Sequence, residues 1–398
     1  MTRIILKKGR EESLRRFHPW VFSGAIAQVV GEPAEGDVVG VFAYDGSFLA
    51  YGHYQIGSIA VRVLSFSGED VLGPDFWTAM ISRALKVREA AGLASNPLTN
   101  CFRLVHGEGD GLPGLIIDWY DGVCVMQAHS VGMFRAKGAI CDALRTVFGD
   151  RLKAVYDKSS GTAPFKAGLD LVDGYLFKSD GFSDDEQVVL ENGNRFLVNW
   201  TEGQKTGFFL DQRENRALVG SCSKGRIVLN LFCYTGGFSV YALNNGALRV
   251  DSVDSSRKAV EMVGRNMELN GFDKDRHSDI CADAIDFLRD VPEDKYDLMI
   301  VDPPAFAKHR GALNNALRAY QRLNAAAISK VAPGGLVFTF SCSQVVDKEA
   351  FALAVFSAAA QTGRSVRILD RLNQPADHAV NIYHPEGEYL KGLLLYVE

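Results

Sequence analysis

From the amino terminus to about residue 72, apolar positions fall in short alternating runs separated by turns that contain glycine. Residues 4–6, 37–42, 48–53 and 59–66 read as strands, and Asp45-Gly46 between two apolar runs is a strong hairpin signal. Strands this short and this close predict a small β-barrel. Gly73-Pro74 interrupts the pattern, and Asp75 is placed to cap a helix carrying Phe76, Met80, Ala84 and Val87 on one face. Residues 101–105, 114–118 and 123–129 predict three further strands, with turns at Gly109-Asp110-Gly111 and Asp121-Gly122. A helix from about 133 to 147 and a strand over 152–157 follow, so this stretch reads as an α+β domain. The acidic, polar segment 179–186 reads as a linker.

Beyond Arg226 the pattern changes to strands alternating with helices, which predicts a mostly parallel sheet. The strands are 226–232, 248–253, 296–301 and 336–341, with a third strand of the series falling just before Asp283. Ser255 or Ser256 caps a helix carrying Val260, Val263 and Met267, and Asn270-Gly271 stops it. Pro333-Gly334-Gly335 is expected to end another helix. The predicted fold class is multidomain α/β: an N-terminal β-barrel over 1–72, a central α+β domain over 73–188, and a C-terminal Rossmann-like domain over 189–398.

Length agrees, since 398 residues are enough for two or three domains. The apolar share of 47% and charged share of 23% are those of a chain with ordinary cores. No apolar run is long enough to span a bilayer, and the N-terminal residues lack the apolar stretch of a signal peptide, so no membrane partner is expected. Seven widely spaced cysteines without a CxxC pair argue against a disulfide framework or zinc site and for a reducing cytoplasm. No metal is expected. The net charge of −5 does not by itself suggest a nucleic-acid partner. Binding needs only a local basic surface, however, and Arg3, Lys7, Lys8, Arg10, Arg15, Arg16 and His18 supply one candidate near the N-terminus. A solvated charged face is the ordinary alternative.

The chemistry concentrates at the ends of the C-terminal strands. The first runs through Asn230 into Phe232-Cys233-Tyr234-Thr235-Gly236-Gly237, a glycine pair at a strand-to-helix turn that lets a ligand approach the backbone. GxGxxG and a P-loop lysine are both absent. A pyrophosphate would need that cradle, whereas S-adenosylmethionine has no phosphate. Asp254, eighteen positions after Gly236, closes the second strand and can accept from the ribose hydroxyls. Asp283 follows the third, where a carboxylate could accept from the adenine amino group; a helix N-cap is the structural alternative for both acids. The fourth strand ends in Asp302-Pro303-Pro304-Ala305-Phe306, and two prolines after a strand enforce a rigid, extended exit beside a preorganised carboxylate.

The fifth strand runs into Ser341-Cys342-Ser343, which places Cys342 at the same sheet edge as Asp302. Cytosine C5 is a poor nucleophile until a thiolate adds to C6 and makes C5 enamine-like; loss of the C5 proton later expels the thiol. Asp302 would hold the base near N3 and N4. A free thiol titrates near ~8.5, so its pKa must be lowered or a base must assist. Of the remaining cysteines, commonly packed as small hydrophobes, Cys233 on the cofactor loop is the one whose inertness is least settled.

Six segments in order carry a family resemblance over nearly the whole chain. They are His18-Pro19-Trp20-Val21-Phe22-Ser23-Gly24-Ala25, the Gly107–Gly114 stretch Gly-Glu-Gly-Asp-Gly-Leu-Pro-Gly, Lys205 to Arg213, Tyr234-Thr235-Gly236-Gly237-Phe238, Asp302-Pro303-Pro304, and Ser341-Cys342-Ser343. The chain resembles the bacterial large-subunit ribosomal RNA cytosine-C5 methyltransferases. That resemblance implies a PUA RNA-binding domain at 1–72, a central domain assisting RNA binding, and a class I S-adenosylmethionine-dependent methyltransferase domain. It implies Cys342 as nucleophile, beside Asp302 as the catalytic carboxylate read from the strand ends. It also implies that Phe209, Asp211, Gln212 and Arg213 line the cofactor and substrate cleft, with Arg213 against the cofactor carboxylate or an RNA phosphate; a β-hairpin closing the domain edge is the alternative. Cofactor contacts are then expected from these four and from Asn230, Phe232, Tyr234, Thr235, Gly236, Gly237, Asp254, Asp283, Asp302 and Pro303. Substrate contacts are expected from Pro304, Phe306, Lys7, Arg10, Arg15, Arg16 and Trp20. The partner would be 23S ribosomal RNA or a large-subunit precursor, and a homodimer is left open.

Ala305 stands where another type of cytosine-C5 enzyme carries a second cysteine, and Ala379 replaces a family proline after Asp377-His378. Two alternatives remain: methylation of a purine amine or ring nitrogen, and a non-catalytic RNA-binding assembly factor. Cys342 argues against the first, because amine transfer needs no thiol. The cofactor loop, Asp254, Asp302 and Cys342 together argue against the second.

Overall fold

The computed structural model describes residues 2–68, 73–164, 168–307 and 309–398. The chain forms two compact units, one from Met1–Val189, Val198–Leu210 and Ala376–Gly387, the other from Leu190–Leu197, Asp211–Pro375 and Glu388–Glu398.

In the first unit, β1 (Arg3–Leu6), α1 (Glu12–Arg15), β2 (Trp20–Phe22), β3 (Ile26–Val30), β4 (Val38–Phe42), β5 (Phe48–Tyr54) and β6 (Ile59–Ser65) form the N-terminal part. Its six-stranded sheet runs β2-β6-β5-β4-β1-β3. Ile4 and Leu6, Val39 and Val41, and Val61 and Val63 alternate into one core, the period-2 pattern that predicted four of these strands. The two strands without a prediction are the edges: β2 has three residues, and β3 is exposed over 27–30 and so carries no burial alternation.

The same unit continues with α2 (Pro74–Ala90), β7 (Cys101–His106), β8 (Leu115–Tyr120), β9 (Val123–Ala128), α3 (Val131–Arg135), α4 (Lys137–Phe148), β10 (Ala154–Asp157) and β11 (Gly174–Lys178). Their sheet runs β11-β10-β9-β8-β7. Three expectations are corrected here. Gly73, not Asp75, caps α2, because Pro74 takes the first helical turn. The predicted 133–147 helix is two helices meeting at Ala136, the first capped by Ser130. Val87 is 42% exposed, and the buried position beside it belongs to Arg88 at 0%. Burial of that guanidinium is tolerated because it is paired with Asp110 and also donates to the Arg103 carbonyl (2.6 Å) and the Asp377 carbonyl (2.6 Å). The strands β12 (Glu186–Glu191) and β13 (Asn194–Asn199) then pair across Asn192-Gly193, both with positive φ.

The second unit holds α5 (Arg213–Ser221), β14 (Ile227–Leu231), α6 (Gly237–Asn244), β15 (Arg249–Asp254), α7 (Arg257–Leu269), β16 (His277–Cys281), α8 (Ala284–Asp290), β17 (Tyr296–Val301), α9 (Leu313–Lys330), β18 (Val331–Ser341), α10 (Lys348–Thr362), β19 (Val366–Asn373) and β20 (Lys391–Val397). Its seven-stranded sheet runs β16-β15-β14-β17-β18-β20-β19. The first five strands in that order are parallel, β20 runs antiparallel to β18, and β19 pairs antiparallel with β20. Leu298, Met299, Ile300 and Val301 are all fully buried, as continuous apolar runs require when both sheet faces are covered. Pro333-Gly334-Gly335 does not end a helix. The helix α9 stops at Lys330, and the three residues lie inside β18, where the register with β17 shifts. Chain order reverses between β14 and β17, so their carboxyl ends flank a topological switch point.

Candidate active site

The loop after β14 is built from strained backbone. Phe232 (φ 57°) and Tyr234 (φ 47°) are left-handed without being glycine, and such residues persist only where the surroundings hold them. Asp254, the last residue of β15, supplies part of that hold: Oδ2 accepts from Tyr234 N (3.0 Å) and Oδ1 from Ser256 N (2.9 Å). Ser256, not Asp254, caps α7. Each carboxylate oxygen retains a further acceptor site, as two ribose hydroxyls would need. Thr235 O accepts from Asn266 Nδ2 at 2.8 Å.

The glycine pair answers to internal packing. Gly236 caps α6 at φ 81°, where a Cβ would meet Val263 Cγ1 at 3.0 Å, and at Gly237 it would meet Arg216 Cδ at 3.0 Å. Asn230 is fully buried beneath the loop, donating to Ser239 Oγ (2.8 Å), which in turn meets Ser252 Oγ (2.7 Å). This network supports the loop from below. The 232–237 segment contains no lysine or arginine. A cofactor there would meet backbone and a carboxylate, a set that suits a nucleoside with free ribose hydroxyls.

At the end of β17, Asp302 Oδ2 accepts from Gln212 Nε2 (3.0 Å), and Gln212 Oε1 accepts from Asn215 Nδ2 (2.6 Å). Gln212 and Asn215 are buried, so this chain orients the Asp302 carboxylate. Pro303 is buried and Pro304 exposed. Phe306 lies against Tyr320 of α9, with ring centroids 4.8 Å apart. Tyr320 also accepts from Ser341 Oγ (2.9 Å), and Ser343 Oγ donates to Ala307 O (2.5 Å). Burial pushes the Tyr320 phenol up to about 12, and the charges of Cys342 and Asp302 act in the same direction. The tyrosine, which sequence reasoning passed over, therefore stands neutral between the Asp302 exit and the Cys342 turn. Cys342 itself is half-buried.

The remaining predicted residues are distributed as follows. Asp283 caps α8, with Oδ1 accepting from Ile285 N (2.9 Å) and Asp286 N (3.0 Å). Arg213 is 1% exposed with Nε donating to Glu214 (3.3 Å), too buried to meet an RNA phosphate. Asp211 accepts from Tyr389 Oη (2.6 Å). In the first unit, Phe209 packs under Lys205, whose Nζ is 4.6 Å from the ring centroid. Lys7, Arg10, Arg15 and Arg16 are exposed, with Lys7 Nζ donating to Gly24 O (2.9 Å). Trp20 is engaged inside its unit, donating Nε1–H to Glu108 (2.8 Å) and lying 4.3 Å from the His384 ring. His378 is buried beside Asp377 and His106. Burial holds the Cys233 thiol well above its ordinary range, and Asp254 adds to this, which disfavours a thiolate there.

Among the described residues, His18, His384 and Glu386 bring three ligating atoms within 4.8 Å. The His18 Nδ1 accepts from Trp20 N (3.3 Å), so its proton sits on Nε2, facing Glu386 at 3.8 Å.

Similarity to known proteins bears directly on this geometry. The family model described as S-adenosylmethionine-dependent methyltransferase matches residues 102–394. The chain belongs to this methyltransferase family. A PUA-like domain model matches residues 4–66. The methyltransferase is 40% identical over 397 residues to a ribosomal RNA large subunit methyltransferase I from Aeromonas hydrophila, covering 98% of each chain. It is 40% identical over 395 residues to the protein of that name from Shewanella amazonensis, again with 98% of each covered. Among solved structures, SMU.776, assigned as a methyltransferase and complexed with SAH, matches with a TM-score of 0.85 at 23% identity and full coverage of both chains, which shows a shared fold. S-adenosylmethionine is the cofactor of this methyltransferase, and the Asp254 carboxylate beside the Gly236-Gly237 turn fits it. Among the described residues no helix is long and apolar enough to cross a membrane.

Proposed function

We propose that this methyltransferase modifies C5 of a cytosine in large-subunit ribosomal RNA, with Cys342 as nucleophile. The relatives' names support the RNA class. The observation that carries the chemistry is Cys342 just after the carboxyl end of β18, which pairs with β17, the strand that Asp302 directly follows. In this reading the loop residues Phe232 to Gly237, with Asp254, Asp283 and Pro303, hold the cofactor. S-adenosylmethionine supplies an electrophilic methyl group when bound.

The Cys342 thiolate adds to C6 of the base, and the electron pair of the 5,6 double bond becomes available at C5. Asp302, aimed by the Gln212–Asn215 chain, holds the N3/N4 edge, and a proton held between its carboxyl group and N3 stabilises the charge that thiolate addition builds there. After C5 is methylated, removal of its proton restores the double bond and expels the thiolate. The target must leave its stack to reach this edge. Residues 1–72, with Lys7, Arg10, Arg15 and Arg16, would add phosphate contacts and no chemistry.

The purine-amine alternative is disfavoured by Cys342, because amine transfer needs no thiol.

Replacing Cys342 by Ala should abolish methyl transfer to ribosomal RNA while S-adenosylmethionine still binds in calorimetric titration. RNA carrying 5-fluorocytosine should trap the native enzyme covalently, because no C5 proton remains to be removed. A fully active Cys342→Ala enzyme would refute the cysteine mechanism.

A further inference from the structure

The Cys342 turn is tied to a buried cation on the neighbouring strand. Lys391 opens β20 in register with Ser341 of β18, one residue before Cys342. Its side chain is buried, and Nζ donates to Ser343 O (2.6 Å) and to Val346 O (2.6 Å), both on the segment that leaves Cys342. Among the described residues Lys391 forms no ion pair with a carboxylate. The two acids nearest in charge are committed elsewhere: Asp347 caps α10 through Ala350 N (2.7 Å), and Glu388 is paired with Lys348. A buried ammonium held only by carbonyls is costly unless an anion forms beside it.

We propose that Lys391 is the positioning residue and counter-cation that brings the Cys342 thiol into its reactive, ionised form. The inference rests on the reading of Cys342 as nucleophile. The lysine is a donor to backbone and does not touch the base; it acts through the cysteine. The thiol proton leaves to solvent, and near neutral pH the ammonium stays protonated and fixed on its two carbonyls.

The surrounding charges give the sign. Burial is the largest influence and leaves Lys391 lowered to about 8, with Cys342, then Asp347 and Glu388, opposing it and Lys348 adding to it. The Lys391–Cys342 attraction is mutual, so the same cation favours the thiolate. Against it stands the Asp302 carboxylate, which disfavours a second anion at this edge, while Tyr320 is neutral throughout the working range. Without Lys391 the turn would present a thiol beside a carboxylate, the less reactive arrangement.

The test is the pH profile of Cys342 alkylation by iodoacetamide, read peptide by peptide in the full-length protein because Cys281 is exposed and Cys222 half-buried. The native midpoint should lie below the ordinary thiol value of about 8.5. Lys391→Gln retains a donor for the carbonyls but removes the charge, and should raise the midpoint by about one pH unit or more. Lys391→Arg should restore the native profile. An unchanged midpoint in a folded Lys391→Gln protein overturns the proposal. So does a native midpoint at or above 8.5, which decides the matter even if that variant does not fold. No RNA enters this assay. A shifted profile combined with full methyl transfer by Cys342→Ala would uphold the electrostatic link and sink the nucleophile reading instead.

Discussion

The Asp254 carboxylate has two duties, and removing it should expose both. In Asp254→Ala the bonds from Tyr234 N (3.0 Å) and Ser256 N (2.9 Å) are lost. A hydrogen bond to a charged group contributes ~1.5–3 kcal/mol. Because Asp254 is only half-buried, water can replace part of this, and the lower end applies, about 3 kcal/mol for the pair. The loss falls on a segment that already holds Phe232 and Tyr234 in left-handed conformations, so the loop should relax toward ordinary backbone. The acceptor proposed for the ribose disappears with it. S-adenosylmethionine affinity should therefore drop by ~100-fold or more. Calorimetric titration measures it, with a thermal melt confirming that the protein is folded. Asp254→Asn keeps one acceptor oxygen and should fall between native and Ala. If folded Asp254→Ala binds S-adenosylmethionine within threefold of the native protein, the loop is not held as described and the ribose assignment fails.

Three further outcomes follow from particular residues. Gly236→Ala places a Cβ at φ 81° against Val263 and should cost about 2 kcal/mol, seen as a melting temperature lower by about 4–8 °C; an unchanged melt would contradict the packing account. His53 is 5% exposed, and burial pushes its pKa down to about 4. The unfolded chain takes up a proton near pH 6.5 that the native imidazole refuses until about 4, so stability falls as pH drops across that window, by about 3 kcal/mol in full. Urea unfolding of native protein and His53→Leu should show a shallower decline in the variant, and parallel declines would remove His53 as the cause. Replacing Lys7, Arg10, Arg15 and Arg16 together by Ala should lower the slope of log affinity for ribosomal RNA against log salt by up to about 3, at ~0.7 per phosphate contact. An unchanged slope would place RNA contacts elsewhere.

Legibility in the sequence followed burial symmetry. The strands β14, β17 and the distal part of β18 are buried on both faces, and their positions are readable as nearly continuous apolar runs. The edge strand β16, with sequence His-Ser-Asp-Ile-Cys and a half-exposed pattern, has no such run, and its place is legible only from Asp283 after it. Asp254, Asp302 and Cys342 were readable because strand ends in a parallel sheet share one edge. The side chains that support them were not. Gln212, Asn215 and Tyr320 act across the fold, through contacts that no local spacing encodes. Lys391 carried one faint signal, a lysine opening the otherwise apolar run Gly392-Leu393-Leu394-Leu395. Arg88 was missed for the converse reason: a charged residue on a helix is ordinarily solvated, and only its pairing with Asp110 makes burial possible.

The account stands most directly on one mapping experiment. Large-subunit ribosomal RNA from a strain lacking this chain, from its parent, and from the deletion strain expressing either native protein or Cys342→Ala would be compared for 5-methylcytosine at each position. The account predicts one cytosine that loses its C5 methyl in the deletion, regains it with the native protein and stays unmodified with Cys342→Ala. Identical 5-methylcytosine maps in parent and deletion, or restoration of the mark by Cys342→Ala, would contradict it.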